Sequence, residues 1–238
     1  MSLLWMIRHG QAASVVKGDY DQLSELGREQ SRRLGEYWLK QGLTFDHVYV
    51  GPRQRHRQTH DVVASVYHEH GLCWPDPVVL PELDEYQAEP LLRQAVPLLR
   101  ERDPHVAELV TTITRGEDGA LRSFELLLRR VTRGWVNGEF DLPDVESWSA
   151  FRARIRRGVD RMTAVQGRGR RVAAFTSAGA VAAAVGLALG VSDLQTLELM
   201  WVINNTAVTE FLFTAGRFSL GRFNCLAHLS DPALVTFR

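Results

Sequence analysis

Residues Leu3–Ala13 read LLWMIRHGQAA, five apolar residues succeeded at once by Arg8, His9 and Gly10. A short unbroken apolar run is the pattern of a strand covered on both faces, as in the middle of a parallel sheet. The three residues at its end are chemically pointed. Arginine offers a fixed guanidinium fork and histidine a neutral ring nitrogen, while glycine lets the backbone approach an anion with no side chain in the way. Taken alone, Arg-His-Gly also fits a structural histidine beside a surface arginine.

Working outward from that strand, element types alternate. Residues 23–42, LSELGREQSRRLGEYWLKQG, bring Leu26, Leu34, Tyr37 and Trp38 near one helical face, with Ser24 as N-cap and Gly42 as stop. FDHVYVGP (45–52) reads as a strand and turn, RQRHRQTHDVVASVYHEHG (53–71) as a helix, and PVVLPEL (77–83) as a third short strand. That order suits parallel strands joined by helical crossovers, whose carboxyl ends meet on one edge where a site forms. From Glu89 to Trp148 the pattern turns helical, with Phe124, Leu127, Val131 and Trp135 at spacings of three or four, as expected of an inserted helical cap. Trp148, Phe151, Ile155, Val159 and Met162 mark a further helix. RRVAAFT (170–176) reads as a late buried strand, SAGAVAAAVGLALG (177–190) as a tightly packed helix, and residues 205–224 as a strand pair turning at Ala215 and Gly216. The expected fold class is α/β, one domain over 1–238 with a helical insertion at 89–148.

With 238 residues, 45% of them hydrophobic, the chain can bury one substantial core. Its 28 basic and 28 acidic residues cancel, so nothing in the balance calls for nucleic acid or an anionic membrane as partner, though a neutral total leaves room for a positive pocket. Cys73 and Cys225 provide no disulfide framework and no cysteine-based metal site. No basic segment leads into a secretion signal, and the apolar run at 178–191 lacks the length and flanks of a membrane span, so the expected setting is cytoplasmic.

Four stretches in order resemble the histidine phosphatase superfamily, also called phosphoglycerate mutase-like: IRHGQA, YDQLSELGREQSRRLGEYW, VYVGPRQRHRQT and LPEL. The nearest-looking branch carries an amino-terminal Arg-His-Gly-Gln-Ala pattern. The resemblance runs from Leu3 to FNCLAHL, which ends at Leu229, and is least distinctive in the helical middle. It implies a three-layer α/β/α sandwich with a mostly parallel central sheet, a phosphohistidine intermediate, and no required metal or organic cofactor.

By position, Arg8 and His9 match the family's phosphate-binding arginine and nucleophile. GPRQRHRQT resembles Ser-Pro-Leu-X-Arg-Ala-X-X-Thr, with His56 in place of the alanine, which makes Arg55 the second pocket arginine. Arg53 and Arg57 compete with it for direct contact. In PELDEYQAE, Glu82 matches the proton donor, with Asp84 and Glu85 as the active alternatives and Glu89 also within the stretch. Gln11, Tyr20, Asp21 and Gln22 are candidates for contact with a substrate's leaving group, and equally fit turn and hydrogen-bonding roles. Trp201 and Asn204 read as a packed aromatic and a turn residue.

FTSAGAV departs from the resemblance. The family places a second histidine there, in a Ser-His-Gly-Gly-like loop, whereas this chain has Ser177 at the histidine position and Ala178 for the first glycine. A serine hydroxyl donates one hydrogen bond and never becomes an imidazolium. Ser177 is therefore expected either to bind phosphate more weakly or to act as a plain helix cap, and an imidazole restored at position 177 is expected to speed reaction at His9. Among the other histidines, His56 is expected to project in a different helical direction from Arg55 and His228 to be structural, with no cluster spaced for a metal.

The resulting expectation is a metal-independent phosphoric-monoester hydrolase for a phosphorylated small molecule. Because of Ser177, a phosphate-ligand or interaction module with weak or no catalysis is the alternative, and a phosphotransfer mutase a further one. A homodimer is the expected assembly if the chain self-associates, since closed twofold assemblies are common.

Overall fold

The computed structural model describes residues 1–13 and 21–237, so Tyr20 lies outside the described residues. The chain divides into two compact units, Met1–Glu85 with Arg154–Arg238, and Tyr86–Ala153.

The first unit is built on a sheet of six strands among the described residues: β1 (Ser2–Arg8), β2 (His47–Val50), β3 (Pro77–Val79), β4 (Arg171–Thr176), β5 (Val208–Thr214) and β6 (Arg217–Cys225). Their order is β3-β2-β4-β1-β5-β6. β1 pairs in parallel with β4, as do β4 with β2 and β2 with β3, whereas β5 runs antiparallel to both β1 and β6. β1 is thus an interior strand, which is why its sequence is an apolar run rather than an alternation.

Helices cover both faces of this sheet. Alternation along the strands turns Trp5, Ile7, Val48, Val50, Ala173 and Phe175 toward α1 (Glu25–Lys40) and α2 (Gln54–Glu69), where they join Leu34, Trp38, Val63 and Tyr67 in one core. Leu4, Met6, Val172 and Ala174 point the other way and are fully buried. α7 (Ala178–Leu189) packs against β1 and β6, and α8 (Asp193–Met200) packs on α7. The small side chains of α7 make that close packing feasible. The result is the α/β/α sandwich with a mostly parallel sheet. α8 was not among the expected elements, although Ser192 and Gln195 form a full capping box at its start. The third strand is shorter than expected. It stops at Val79, and Pro81–Leu83 form a 3-10 turn, as the fixed φ and missing N–H of Pro81 favour.

Register decides what this edge presents. Arg8 pairs with Thr176 and Val50 with Phe175, so the carboxyl ends of β1, β4 and β2 lie side by side. The next residues are His9, Ser177 and Gly51.

The second unit contains α3 (Ala88–Arg100), α4 (Pro104–Arg115) and α5 (Ala120–Val136), and then the start of α6 (Trp148–Thr163). Trp135 is its hub, stacked on Tyr86 at 5.4 Å between centroids and edge-on to Trp148 at 5.2 Å, with its indole N–H donating to the Glu146 carbonyl. Leu127 and Val131 are buried with it, but Phe124, expected on the same stripe, is exposed. No helix among the described residues is long and apolar enough to cross a membrane.

Candidate functional site

The backbone of His9 is fixed from two sides. Its amide donates to the Thr176 carbonyl at 2.8 Å, and its own carbonyl accepts from the Asn205 side chain at 3.1 Å and from the Thr206 amide at 3.3 Å. Gly10 then packs on the first turn of α1. A Cβ on Gly10 would lie 2.4 Å from the Gly27 carbonyl oxygen, and one on Gly27 would lie 2.1 Å from that of Gln11, so the approach requires glycine at both positions. The Gly10 amide donates to Thr59 Oγ1 at 3.0 Å, and that hydroxyl donates to the Arg55 carbonyl, tying the His9 loop to α2.

The ring of His9 has a defined tautomer. Nδ1 lies 2.7 Å from the Gly10 carbonyl, and Nε2 receives a hydrogen bond from Arg55 Nε at 3.1 Å. A carbonyl only accepts and a guanidinium only donates, so the proton is on Nδ1 and the lone pair on Nε2. Burial, helped by the positive charges of Arg55 and Arg8 and by His56, holds the imidazole well below its ordinary pKa, and the Gly10 bond opposes this only in part. His9 is therefore neutral near pH 7.

Of the three arginines after β2, Arg55 alone is buried beside His9. Asp21 aims it, taking Arg55 Nη1 on one carboxylate oxygen at 2.9 Å and the Gln54 amide on the other at 3.0 Å. Arg53 instead pairs with Asp84, and Arg57 is exposed. Arg8 is buried, with Nη1 on the Ile203 carbonyl at 2.5 Å. Asp21 belongs to the loop expected near a leaving group, and it holds Arg55 and the Gln54 amide; Asn205 had no distinguishing signal in the sequence, because it acts by holding the His9 backbone.

In the acidic loop, Glu82 and Glu85 face different partners. Glu82 is held by Arg161 of α6 at 2.8 Å. Partial burial works to raise its pKa, but the hydrogen bond and charge of Arg161 outweigh that and leave the group below its usual value. Glu85 instead accepts the Gly179 amide at 3.1 Å, in the first turn of α7 and two residues past Ser177. Arg154 clamps the turn between them by donating to the carbonyls of Glu82 and Asp84.

His56 corrects another expectation. It does not project away from the site. Its ring centroid lies 5.8 Å from that of His9, and its Nε2 lies 2.5 Å from Ser177 Oγ. α2 begins only at Gln54, so Arg55 and His56 both sit in its first turn, which faces the carboxyl edge of the sheet. Ser177 is the N-cap residue of α7 yet makes no side-chain capping bond, its hydroxyl being turned to His56. Burial first, and then Arg55 and Arg53, keep His56 well below its ordinary pKa.

Gln11 and Gln22 have their side chains engaged locally. Gln11 Oε1 accepts from Ser24, the α1 N-cap, and Gln22 exchanges amide hydrogen bonds with Gln54 and Gln58. Asn204 is paired with Asn224, and His228 is buried against the Thr206 hydroxyl at 2.9 Å. Among the described residues no group of three or more His, Cys, Asp or Glu side chains is placed to hold a metal.

The family model described as histidine phosphatase superfamily (branch 1) matches residues 4–136 and 127–226. The chain belongs to the histidine phosphatase superfamily. Solved structures similar to this superfamily member include the alpha-ribazole phosphatase from Shigella flexneri, 19% identical, with TM-score 0.62 over 94% of this chain and 97% of that one. A phosphoserine phosphatase from Entamoeba histolytica is 16% identical, with TM-score 0.61 over 96% and 100% of the two chains. A phosphoglycerate mutase from Bacillus anthracis is 16% identical, with TM-score 0.62 over 95% and 94%. At these identities the likeness is one of fold. No curated protein matches the chain.

Proposed function

We propose that this superfamily member is a phosphoric-monoester hydrolase acting on a phosphorylated small molecule through a phosphohistidine at His9. The observation that carries the reading is the tautomer: a buried, neutral imidazole whose Nε2 lone pair faces a guanidinium. Substrate phosphate would take Arg55's hydrogen bonds in place of Nε2, freeing the lone pair to attack phosphorus while Arg8 and Arg55 neutralise the phosphoryl oxygens.

The same reading moves the proton donor from Glu82 to Glu85. As the P–O ester bond breaks, the leaving oxygen takes a proton from the Glu85 carboxyl. Water then attacks phosphorus and the P–N bond breaks. The electron pair returns to Nε2, and Glu85 takes the water's proton. Glu82 is poorly suited to this, since Arg161 stabilises its ionised form. The Glu85 carboxylate, by contrast, faces the α7 end that adjoins His9 across the β1–β4 pairing. No step calls on a metal. The similar structures described as phosphatases support hydrolysis, and a phosphotransfer mutase would use the same first step.

The test is a panel of phosphomonoesters assayed with wild type and His9→Ala, with and without chelator, then a rapid denaturing quench and mass measurement under mildly alkaline conditions, where the P–N bond survives. Turnover that survives chelation, with a phosphoryl adduct absent from His9→Ala, supports the reading. Turnover retained by His9→Ala refutes it, and phosphate binding without turnover would mark a binding module instead.

A further inference from the structure

Three departures from the family pattern meet in space: Gly51 for its serine, His56 for its alanine, and Ser177 for its second histidine. The imidazole of His56 fills the gap between the other two. A Cβ on Gly51 would lie 2.3 Å from His56 Nδ1, so the ring fits only because position 51 has no side chain. On its other edge, Nε2 meets Ser177 Oγ at 2.5 Å, where a longer side chain at 177 would occupy the ring's own space. His56 and Ser177 are both at 0% exposure, so neither position has slack. The changes are reciprocal: an imidazole is lost from the loop after β4 and gained from the first turn of α2, at 5.8 Å from the His9 ring.

We propose that His56, acting through the Ser177 hydroxyl, is the second histidine of this phosphoryl site. The inference rests on the phosphohistidine reading and assigns His56 as a positioning residue. The Nδ1 edge of His56 lies against Gly51 and makes no hydrogen bond, so the proposal puts the proton on Nε2 rather than on Nδ1; His56 then donates to Ser177 Oγ, which leaves the serine O–H to be directed at a phosphoryl oxygen. The chain Nε2–H, Oγ–H, phosphoryl oxygen then strengthens as charge develops on that oxygen, because linked hydrogen bonds polarise one another. His56 makes no bond to phosphorus and transfers no net proton. A neutral serine thereby becomes a directed donor in a dry pocket, where such a donor is worth most. Burial and the neighbouring arginines keep the ring neutral, so its contribution is hydrogen-bonded rather than ionic.

On this proposal histidine at 177 is not expected to help by itself, because with His56 in place two rings would compete for one space. The proposal is tested by His56→Ala, Ser177→Ala, the double alanine variant, Ser177→His, and the swap combining His56→Ala with Ser177→His. Each is checked for folding by circular dichroism. The readouts are the single-turnover rate of His9 phosphorylation and the affinities for orthovanadate and inorganic phosphate by calorimetry. Each alanine variant is expected to slow phosphorylation by about a hundredfold and to weaken vanadate more than phosphate, since vanadate mimics the transition state. The double alanine should be no worse than either single, and the swap should regain at least about tenfold over His56→Ala. Should His56→Ala fail to fold, His56→Gln keeps an N–H at the Nε2 position and is expected to retain most of the rate. A folded His56→Ala with wild-type vanadate affinity, or independent effects with no gain from the swap, would overturn the proposal even where His9 is phosphorylated. If wild type forms no phosphohistidine, the phosphohistidine reading fails, whereas loss of vanadate affinity in His56→Ala and its return in the swap would still support an oxyanion site built by His56.

Discussion

Arg55 Nε donates to His9 Nε2 across 3.1 Å, while Asp21 holds the far end of the same guanidinium. One side chain thus both fixes the histidine tautomer and waits where phosphoryl oxygens would lie. Arg55→Ala is expected to cost about 3 kcal/mol of transition-state stabilisation, roughly two orders of magnitude in single-turnover rate. Arg55→Lys should lose most of the same amount, because an ammonium lacks the fork that serves His9 and Asp21 together. Arg53→Ala, which removes a partner of Asp84, should have a much smaller effect. Similar rates for Arg53→Ala and Arg55→Ala would remove the distinction drawn between them.

The buried state of His9 predicts a specific pH response. Its pKa lies well below the ordinary value, so acidification toward about pH 6 should leave it unprotonated, where a solvated histidine would be mostly charged. Nitrogen-detected NMR of labelled protein should show one neutral ring with hydrogen on Nδ1, its shifts constant across that range. A His9 signal that titrates near the ordinary histidine pKa would contradict the burial argument.

Glu82 and Glu85 are separated by leaving-group chemistry. Protonation matters for a poor leaving group such as an alkoxide and little for nitrophenolate. Glu85→Gln should therefore slow hydrolysis of an alkyl phosphate by roughly a hundredfold or more while sparing para-nitrophenyl phosphate. Glu82→Gln, which frees Arg161, should affect both substrates slightly and equally. If the pattern is reversed, Glu82 is the donor.

The range of the interactions involved determined which features were legible in the sequence. The buried strands could be read because β1 and β4 have partners on both sides and so carry unbroken apolar runs, and Arg8, His9 and Arg55 sit in short stretches whose spacing survives intact. The partners within the acidic loop could not be read, because Glu82 is ion-paired with Arg161, which lies 79 residues away, and no local pattern reveals that pairing. The direction of His56 depended on where α2 starts and on the empty space over Gly51, both tertiary facts. α8 was missed for another reason. Its capping signal, Ser192 to Gln195, was present, but eight residues give too short a periodicity to register.

Buried histidines also govern stability. His9, His56, His60 and His228 all have depressed pKa values, with burial the largest cause in each, and for His228 the value falls to about 4. In the unfolded chain these rings take up protons near the ordinary histidine pKa of about 6.5, whereas the folded protein refuses them until lower pH. Between those limits the unfolded state binds more protons, so unfolding becomes easier as pH falls. The stabilisation is thus complete above about pH 7 and is lost on acidification through the window down to the folded values. For His228 alone the shift corresponds to roughly 3 kcal/mol across that window. Urea midpoints measured from about pH 8 to pH 4.5 should be level at the upper end and fall steadily below about pH 6.5. His228→Gln, which keeps a hydrogen-bonding group beside Thr206 but cannot titrate, should flatten part of that slope. Midpoints that hold constant or rise on acidification would mean that these rings are hydrated in the native state, and the neutral-imidazole chemistry assigned to His9 would lose its physical basis.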